Sequence, residues 1–278
     1  MKIIKSLCSI LGGNHPCISA GVLSDIGCSR ENNEDNYLLG KYINTDSADR
    51  SEAAVGPEYI VGGFVAAVFD GMGGGEAGEL ASAAAARSLR DRLPQLQKRC
   101  SRAEIDEYVR AGLCEGNAKI VEMQENRRIC GSTGTVLCLR DKEFKIFHLG
   151  DSRAYLRREG TLFQLSRDQT LAQMKIEMDI YDYDDPRSEA EKHQLTDFLG
   201  RAKNREQFRT EESGWSPVQK GDMFLLCSDG LYDACDDGCL SRCLSEACDA
   251  PGAVKALVTE ALERGATDNV TAIVVQLN

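Results

Sequence analysis

The sequence predicts an α+β protein in which antiparallel strands pack with helices, and three observations support this fold class. Strand candidates in the middle of the chain follow one another through tight turns such as "RREG" at residues 157–160, which is typical of an antiparallel meander. Two helical segments lie one after the other between earlier strands, which disfavours simple βαβ winding. A hydrophobic content of 42% over 278 residues is enough for a substantial buried core.

The individual elements are predicted from the periodicity of apolar residues. Apolar runs predict strands over Tyr37–Tyr42, Tyr59–Phe69, Thr133–Leu139, Phe144–Leu149, Ala154–Arg157, Leu162–Leu165, Met223–Cys227 and Val270–Leu277. The first helix is predicted over Ala77–Leu93, because one face is rich in alanine and leucine and Pro94 ends it. The second begins at Ser101, where "SRAE" forms a capping box with Glu104, and a last helix is predicted over Val254–Leu262.

The chain is predicted to form one domain from about residue 20 to residue 278, preceded by a tail over residues 1–19. It carries no internal repeat, low-complexity tract or linker-like composition that would divide it. Residues 168–205 are charged and only weakly periodic. Because long surface insertions often take part in recognition, this stretch is predicted to form a small, mobile helical flap beside the main body.

The charge and cysteine content of the chain exclude some classes of partner. A formal net charge of −11 repels nucleic acid and anionic lipid, so we expect neither nucleic acid nor a membrane as a partner. No run approaches the ~18 apolar residues of a membrane-spanning helix. Twelve cysteines without a secretory signal indicate a reducing compartment, so we expect a cytoplasmic protein.

Three of the cysteines, Cys235, Cys239 and Cys243, recur every four residues and would share one face of a helix. A metal site is one interpretation of this spacing. However, no histidine lies nearby and the spacing differs from the C-x-x-C pairs of zinc sites. A role as small core residues is therefore favoured.

The strongest chemical signal is an aspartate in a small-residue turn at the end of several apolar strands. These residues are Asp70 in "VFDGMGG", Asp151 in "HLGDSRA", Asp229 in "LLCSDGLYD" and Asp268 in "ATDNVT". One such turn is usually structural, but several can meet at one rim of a packed sheet. Clustered carboxylates repel one another unless a cation lies among them, and oxygen ligands without histidine or thiolate favour Mg²⁺ or Mn²⁺ over zinc.

The segment "SRENNEDNYLL", residues 29–39, adds further candidates just before a predicted strand. Glu34 and Asp35 would extend the acidic cluster. Arg30 is the one cation in this stretch, and a guanidinium beside a metal pair can hold the equatorial oxygens of a phosphate monoester by bidentate hydrogen bonds. The alternative is that Arg30 pairs with Glu31 or Glu34 on the surface.

Six motifs occur along the chain in a fixed order: "SRENNED", "FDGMGG", "GSTGT", "GDSRAYL", "CSDGLYD" and "TDNVT". Their order and spacing resemble those of the protein phosphatase 2C family of metal-dependent serine/threonine phosphatases, especially its compact bacterial members. The match extends from about Ser24 to Gln276. The resemblance implies a four-layer αββα sandwich of two antiparallel β-sheets flanked by helices, with a binuclear Mg²⁺ or Mn²⁺ site at one end.

The resemblance also implies which residues hold the two ions. Asp70 would bridge them, and the Gly71 carbonyl would bind one of them. Asp229 and Asp268 would hold one ion, and Glu34 would support the other, mostly through water.

The remaining candidates receive roles from the same resemblance. Asp151 together with Asp229 would match the family's weaker third metal site. Arg30 would grip the substrate phosphate. Asp35 and Asn269 would position metal-bound waters or neighbouring ligands.

The resemblance implies hydrolysis of phosphoserine and phosphothreonine monoesters in proteins by direct attack of a bridging, metal-activated water. We therefore expect a monomer that opposes a bacterial serine/threonine kinase. Two positions depart from the family pattern. Met72 stands where many eukaryotic members have a proton-donating histidine, and Gln169 stands where the flap normally begins "DHS". The identity of the general acid and the role of the flap are left open by these residues.

Two other functions are compatible with parts of the sequence. A catalytically silent phosphatase-like module, acting by binding or regulation, would carry the same motifs. Gly73, Gly75 and Gly78 spell the G-x-G-x-x-G of nicotinamide-dependent oxidoreductases. That fingerprint requires a second parallel strand after the first helix, whereas the sequence predicts a second helix there.

Overall fold

The computed structural model describes residues 16–44, 48–60, 62–73, 77–96, 100–125, 130–182, 185–204 and 207–278. Residues 1–15 of the predicted tail lie outside these ranges. The first strand begins at Cys17, before the domain start predicted at about residue 20, so residues 17–19 belong to a sheet and not to a tail.

Runs of consecutive strands are separated by groups of helices, so the order of elements is not the repeated βαβ unit of a parallel sheet. The strands are β1 (Cys17–Asp25), β2 (Asn36–Leu39), β3 (Arg50–Tyr59), β4 (Gly63–Phe69), β5 (Gly71–Gly73), β6 (Cys130–Ser132), β7 (Gly134–Arg140), β8 (Glu143–Leu149), β9 (Arg153–Arg158), β10 (Thr161–Gln164), β11 (Glu211–Glu212), β12 (Ser216–Pro217), β13 (Met223–Cys227) and β14 (Val270–Leu277). The helices are α1 (Ala77–Arg90), α2 (Arg102–Glu125), α3 (Leu171–Glu177), α4 (Asp229–Tyr232), α5 (Asp237–Glu246) and α6 (Ala250–Glu263).

These strands form two large antiparallel sheets. The first has the order β10-β9-β13-β14-β1-β3. The second has the order β11-β8-β7-β4-β2, with β12 also paired to β8, and β5 and β6 form a small separate ribbon. The ladders between the described strands of both large sheets are antiparallel, as predicted. The predicted continuous meander is wrong, because β7 and β8 pair in the second sheet whereas β9 and β10 pair in the first.

The two sheets pack face to face because alternate residues of their strands point to the same core. Phe224 of β13 and Phe144 of β8 meet across this core with ring centroids 4.8 Å apart. Ile273 and Val275 of β14 and Val68 of β4 belong to the same buried cluster. Burial of each such side chain contributes about 1.5–3 kcal/mol to folding.

Helices cover the outer face of each sheet and complete four layers. Ala81, Ala85 and Leu89 of α1 pack with Ile105 of α2 against the second sheet. Residues of α5 and α6, among them Leu257, pack against the other face of the first sheet. The predicted four-layer αββα sandwich is therefore confirmed. None of the helices in the described parts of the chain is long and apolar enough to cross a bilayer.

Most predicted elements overlap observed ones, with informative differences. The capping box is present, because Ser101 N and Oγ donate to Glu104 Oε2 at 2.7 and 2.8 Å. Helix α1 ends at Arg90, and Leu93 belongs to a short 3₁₀ turn, so this helix is shorter than predicted. The predicted strand over Tyr59–Phe69 is in fact the end of β3 followed by β4.

The region predicted as a helical flap, residues 168–205, has less helix than expected. Helix α3 begins after Thr170, whose Oγ1 accepts a hydrogen bond of 3.2 Å from Gln173 N. A 3₁₀ turn over Pro186–Ser188 follows, and most of the remaining described residues form turns or bends. The weak periodicity of this segment reflects many local polar contacts, such as the ion pair between Lys175 and Glu191 at 2.6 Å.

The three regularly spaced cysteines lie in the helix layer over the first sheet. Cys235, Cys239 and Cys243 are all buried among apolar residues of α5 and α6. Glu260 lies close to two of them, but its carboxylate already pairs with Arg242 at 3.1 Å and with Arg264 at 2.9 Å. These contacts favour the core role over a metal site.

Candidate metal centre

The predicted acidic residues meet in one open cavity of about 610 Å³ at one end of the two sheets. The predicted residues among its lining are Arg30, Glu34, Asp70, Gly71, Asp151, Asp229 and Asp268. Asp35 and Asn269, the two others, are buried. The structure thus brings together residues that are up to 238 positions apart in the sequence.

The sandwich explains why these aspartates converge. Asp70 follows β4 and Asp151 lies just after β8, and both strands belong to the second sheet. Asp229 follows β13 and Asp268 precedes β14, which are neighbours in the first sheet. Because the sheets stack, both pairs reach the same rim.

Asp70 lies at the electrostatic centre of this cluster. Burial raises the pKa of its carboxyl group well above the usual range, and the nearby carboxylates of Asp35, Asp229, Asp151 and Asp268 raise it further. Such a group remains ionised only if positive charge is placed beside it.

Two further members of the cluster behave in the same way. Burial, reinforced by Asp229 and Asp268, raises the pKa of Asp35 to about 7, although a hydrogen bond from Ser228 acts in the opposite direction. Burial and the charge of Asp229 raise the pKa of Asp151 to about 8. A cluster of carboxylates that repel one another and offer oxygen ligands fits hard divalent cations such as Mg²⁺ and Mn²⁺.

The "GSTGT" motif holds in place the turns that carry Asp70 and Asp151. Asp70 N donates to Thr133 Oγ1 at 2.9 Å, and Thr133 N donates back to the Asp70 carbonyl at 2.8 Å. The same hydroxyl contacts Ser152 Oγ at 2.7 Å. Thr133 therefore links the turn that carries Asp70 to the turn that carries Asp151.

The glycines after Asp70 allow backbones and side chains to approach closely. A Cβ at Gly71 would lie 2.2 Å from the Gly78 carbonyl oxygen, and a Cβ at Gly78 would lie 2.5 Å from Glu34 Oε2. Ser82 Oγ donates to the Glu34 carbonyl at 2.6 Å. Helix α1 thus packs directly against the Glu34 turn, and Gly78 serves this contact. Gly75 lies outside the described residues.

Arg30 pairs with an acidic residue of the cavity and not with the neighbours considered from sequence. Its Nη2 donates to Asp268 Oδ2 at 2.5 Å, and its side chain remains 49% exposed. The guanidinium is therefore accessible from the cavity and compensates part of its negative charge.

A sequence model of the protein phosphatase 2C family matches residues 49–269. The chain belongs to this family. The serine/threonine protein phosphatase PstP of Mycobacterium tuberculosis is 32% identical over 257 residues, which cover 90% of this chain and 43% of PstP. The chain thus spans less than half the length of that relative. A serine/threonine phosphatase of Listeria welshimeri is 29% identical over 258 residues, which cover 92% of this chain and 94% of that protein.

The fold of the chain is also found among solved structures. The catalytic domain of PstP in complex with two manganese ions superposes with a TM-score of 0.72 and 28% identity. The similarity covers 94% of this chain and 99% of the PstP domain. The topology of the sheets excludes the nicotinamide-dependent oxidoreductase suggested by Gly73, Gly75 and Gly78. That fingerprint requires a second parallel strand after the first helix, whereas both large sheets are antiparallel and a second helix follows α1.

Within this protein phosphatase 2C fold, the "GDSR" arginine supports the turn of Asp151. Arg153 Nη2 pairs with Asp168 Oδ2 at 2.6 Å, and its guanidinium stacks 3.7 Å from the ring centre of Tyr232. Tyr232 in turn donates its hydroxyl to the Asp151 carbonyl at 3.2 Å. This set of contacts joins the start of the flap segment, α4 and the Asp151 turn.

Gln169, which departs from the family pattern, attaches the flap segment to the same turn. Its backbone N–H donates to the Gly150 carbonyl at 2.8 Å, and its Oε1 accepts from Gly150 N at 2.9 Å. The backbone and the side chain of Gln169 thus each form one hydrogen bond with the backbone of Gly150. Met72, the other departure, lines the cavity with an apolar thioether that has no proton to donate.

His193 is a cavity residue that the sequence did not reveal. Its Nδ1 lies 3.2 Å from Asp229 Oδ2 and 4.0 Å from Asp151 Oδ2, while its Nε2 lies 3.2 Å from Asp233 Oδ2. Hydrogen bonds to Asp229 and Asp233 raise the pKa of the imidazole to about 10. A single histidine in a charged, weakly periodic segment carries no spacing signal, so only the three-dimensional structure identifies it.

Proposed function

We propose that this chain is a metal-dependent protein serine/threonine phosphatase that hydrolyses phosphoserine and phosphothreonine monoesters. The observation that carries the proposal is a cluster of carboxylates around Asp70, with the exposed Arg30 at its edge. The serine/threonine phosphatases to which the chain is similar support the same activity.

Two ions of Mg²⁺ or Mn²⁺ are proposed as cofactors, and the Mn²⁺ complex of the PstP domain supports this assignment. Asp70 and the Gly71 carbonyl would hold them together with Asp229, Asp268 and Glu34. Asp151 and Asp229 would hold a weaker third ion. When bound, such ions lower the pKa of a water nucleophile and neutralise charge on the transferred phosphoryl group.

The other side chains would orient these ligands and the substrate. Arg30 would leave Asp268 when a cation takes its place and would bind two oxygens of the phosphate. Asp35 would support the ligands from behind, held by Ser228 Oγ at 2.7 Å. Asn269 would fix the Glu34 turn. Direct hydrolysis requires no phosphorylated enzyme intermediate.

The wider role follows from the same proposal. We infer a single catalytic domain over about residues 17–278 that acts as a cytoplasmic monomer on phosphoproteins and opposes a serine/threonine kinase. The net charge of −11 supports protein substrates over nucleic acid, because nucleic acid would be repelled. Recruitment of an anionic phosphopeptide would depend on the bound cations and Arg30.

The test is hydrolysis of a phosphothreonine peptide with and without Mn²⁺ or Mg²⁺. Activity should require the metal and should be lost in Asp229→Asn, because this variant weakens a ligand shared by two proposed sites. Asp237→Asn, an exposed position in the first turn of α5, is the matched control and should retain activity. Hydrolysis that persists in excess chelator would contradict the proposal, and a metal-bound but inactive protein would favour the silent module.

A further inference from the structure

The two ring nitrogens of His193 face different groups. Nδ1 points to the carboxylates of Asp229 and Asp151, and Nε2 lies 3.2 Å from Asp233 Oδ2. One ligand atom from each of His193, Asp151 and Asp229 lies within 4.8 Å of the other two. The separations of 3.2 and 4.0 Å between Nδ1 and the two carboxylates are compatible with bonds of about 2.0–2.2 Å to one ion.

The contact with Asp233 is the second observation that points to a ligand. A histidine that binds a metal almost always donates its other N–H to a carboxylate or carbonyl, which fixes the tautomer and the ring orientation. Nε2–H to Asp233 is such a contact, and if a cation replaces the proton on Nδ1, the lone pair of Nδ1 would face that cation on the side of Asp151 and Asp229. Lys192 Nζ, 3.4 Å from Asp233 Oδ1, keeps that carboxylate in place.

We propose that His193 is a nitrogen ligand, supplied by the flap segment, of the third cation position between Asp151 and Asp229. This inference rests on the proposed function, because it concerns a metal of the same centre. It adds a residue of this chain that belongs to none of the six motifs. It also connects the flap segment to the metal centre through a single side chain.

The nitrogen ligand has a consequence for metal choice. Mg²⁺ keeps oxygen ligands and water in a strict octahedral arrangement, whereas imidazole suits transition-metal ions. The third position is therefore selective for a transition-metal ion such as Mn²⁺ over Mg²⁺. The two positions around Asp70, which have oxygen ligands only, do not share this preference.

A protonated His193 that merely tethers the flap segment is the competing interpretation. In that case the imidazolium forms ion pairs with Asp229 and Asp233, and any cation of similar reach would serve. His193→Arg separates the two interpretations, because arginine keeps the positive charge but offers no lone pair to a metal. Lys192→Ala is the matched control, since it weakens the same attachment to Asp233 without changing a proposed ligand.

The experiment is a Mn²⁺ titration of the full chain by calorimetry, with pulsed electron paramagnetic resonance at each stoichiometry. The wild type should show nitrogen coupling to Mn²⁺ that appears as the weakest site fills and that survives an excess of Mg²⁺. His193→Arg should lose the coupling and weaken that site at least about tenfold, by comparison with measured effects of altering groups around a metal. Lys192→Ala should retain the coupling.

The possible failures are distinguishable. Occupied Mn²⁺ sites without nitrogen coupling in the wild type would overturn the role of His193 and leave the proposed phosphatase intact. Unchanged affinity of the weakest site in His193→Arg would do the same and would support the tether. Absence of any Mn²⁺ binding would overturn the proposed function together with this inference.

Discussion

The backbone N–H of Glu34 donates a hydrogen bond of 2.8 Å to Asn269 Oδ1, across 235 residues of sequence. The amide nitrogen of Asn269 donates in turn to the carbonyls of Ile26 and Asn32, at 2.9 and 3.0 Å. One side chain therefore connects the turn before β2 with the turn before β14. Because Glu34 and Asp268 lie on these two turns, their separation depends on Asn269.

Asn269→Ala should destabilise the protein and weaken metal binding together. The substitution leaves the buried N–H of Glu34 and two partly buried carbonyls without this partner, and an unsatisfied buried group costs about 1–3 kcal/mol. Urea unfolding without metal measures the first effect, and Mn²⁺ titration measures the second. Asn269→Asp keeps the acceptor for Glu34 N and loses the two donors, so it should lie between wild type and alanine. Equal urea midpoints for all three proteins would contradict this role.

The layers of the fold could be predicted because their signals are local. Apolar runs, tight turns and the "SRAE" box each act over a few residues and predict individual strands and helices. The arrangement of these elements in four layers was implied by the resemblance to the family. Strand β1 was missed although it lies inside a sheet, because "CISAGVLSD" contains small residues that the packing requires. A Cβ at Gly21 would lie 2.8 Å from Pro251 Cα, so the position that weakens the strand signal is where α6 approaches.

The site could be predicted where one residue type at a strand end carries the chemistry, as for Asp70 and Asp229. What could not be predicted are the contacts that hold these residues. The partner of Arg30 is Asp268, not the nearby Glu31 or Glu34, because the fold brings a distant turn beside it. The position of His193 in the cavity could not be predicted either, because it depends on the path of the flap segment, whose sequence has little periodicity.

Thr133→Val should loosen two turns of the proposed metal centre at once, those that carry Asp70 and Asp151. Valine has almost the same shape, but it removes the hydroxyl that accepts from Asp70 N and contacts Ser152. We expect a loss of about 1–3 kcal/mol in unfolding free energy and weaker Mn²⁺ binding, because the partly buried N–H of Asp70 and the buried hydroxyl of Ser152 both lose their partner. Thr161→Val, on an exposed position of β10, is the control and should change neither quantity. An unaltered Mn²⁺ affinity in Thr133→Val would show that the turns hold their geometry without it.

Gly78→Ala should impair the Glu34 side of the centre even though alanine favours helices. The new Cβ would lie 2.5 Å from Glu34 Oε2 and 2.9 Å from the Gly71 carbonyl carbon, so the Glu34 side chain or the Gly71 turn must move. Mn²⁺ affinity should fall, as calorimetry would show. Gly238→Ala in α5 meets only the side-chain oxygen of Asp236 at 3.3 Å and should stabilise by up to about 1 kcal/mol, the usual difference between the two residues in a helix. Equal metal affinity in both variants would refute the packing argument.

The metal-free protein should lose stability as the pH rises from about 5 to about 8. Asp35 and Asp151 have pKa values of about 7 and about 8 in the folded state, above the value of about 3.9 for an unfolded aspartate. Between these values the folded state binds more protons than the unfolded state, so the free energy of unfolding falls by up to about 1.4 kcal/mol per pH unit for each proton. His193, with its pKa raised to about 10, contributes with the same sign above its unfolded value.

Thermal unfolding in chelator across this pH range measures the slope, and Mn²⁺ should reverse it. Cations compensate the ionised carboxylates, so the gain in melting temperature on adding Mn²⁺ should increase with pH. Asp151→Asn removes one of the raised groups and should flatten the metal-free slope, whereas Asp237→Asn should leave it unchanged. A melting temperature that rises with pH in chelator would mean that these carboxylates are already compensated within the protein, and the cluster would then create no demand for a cation.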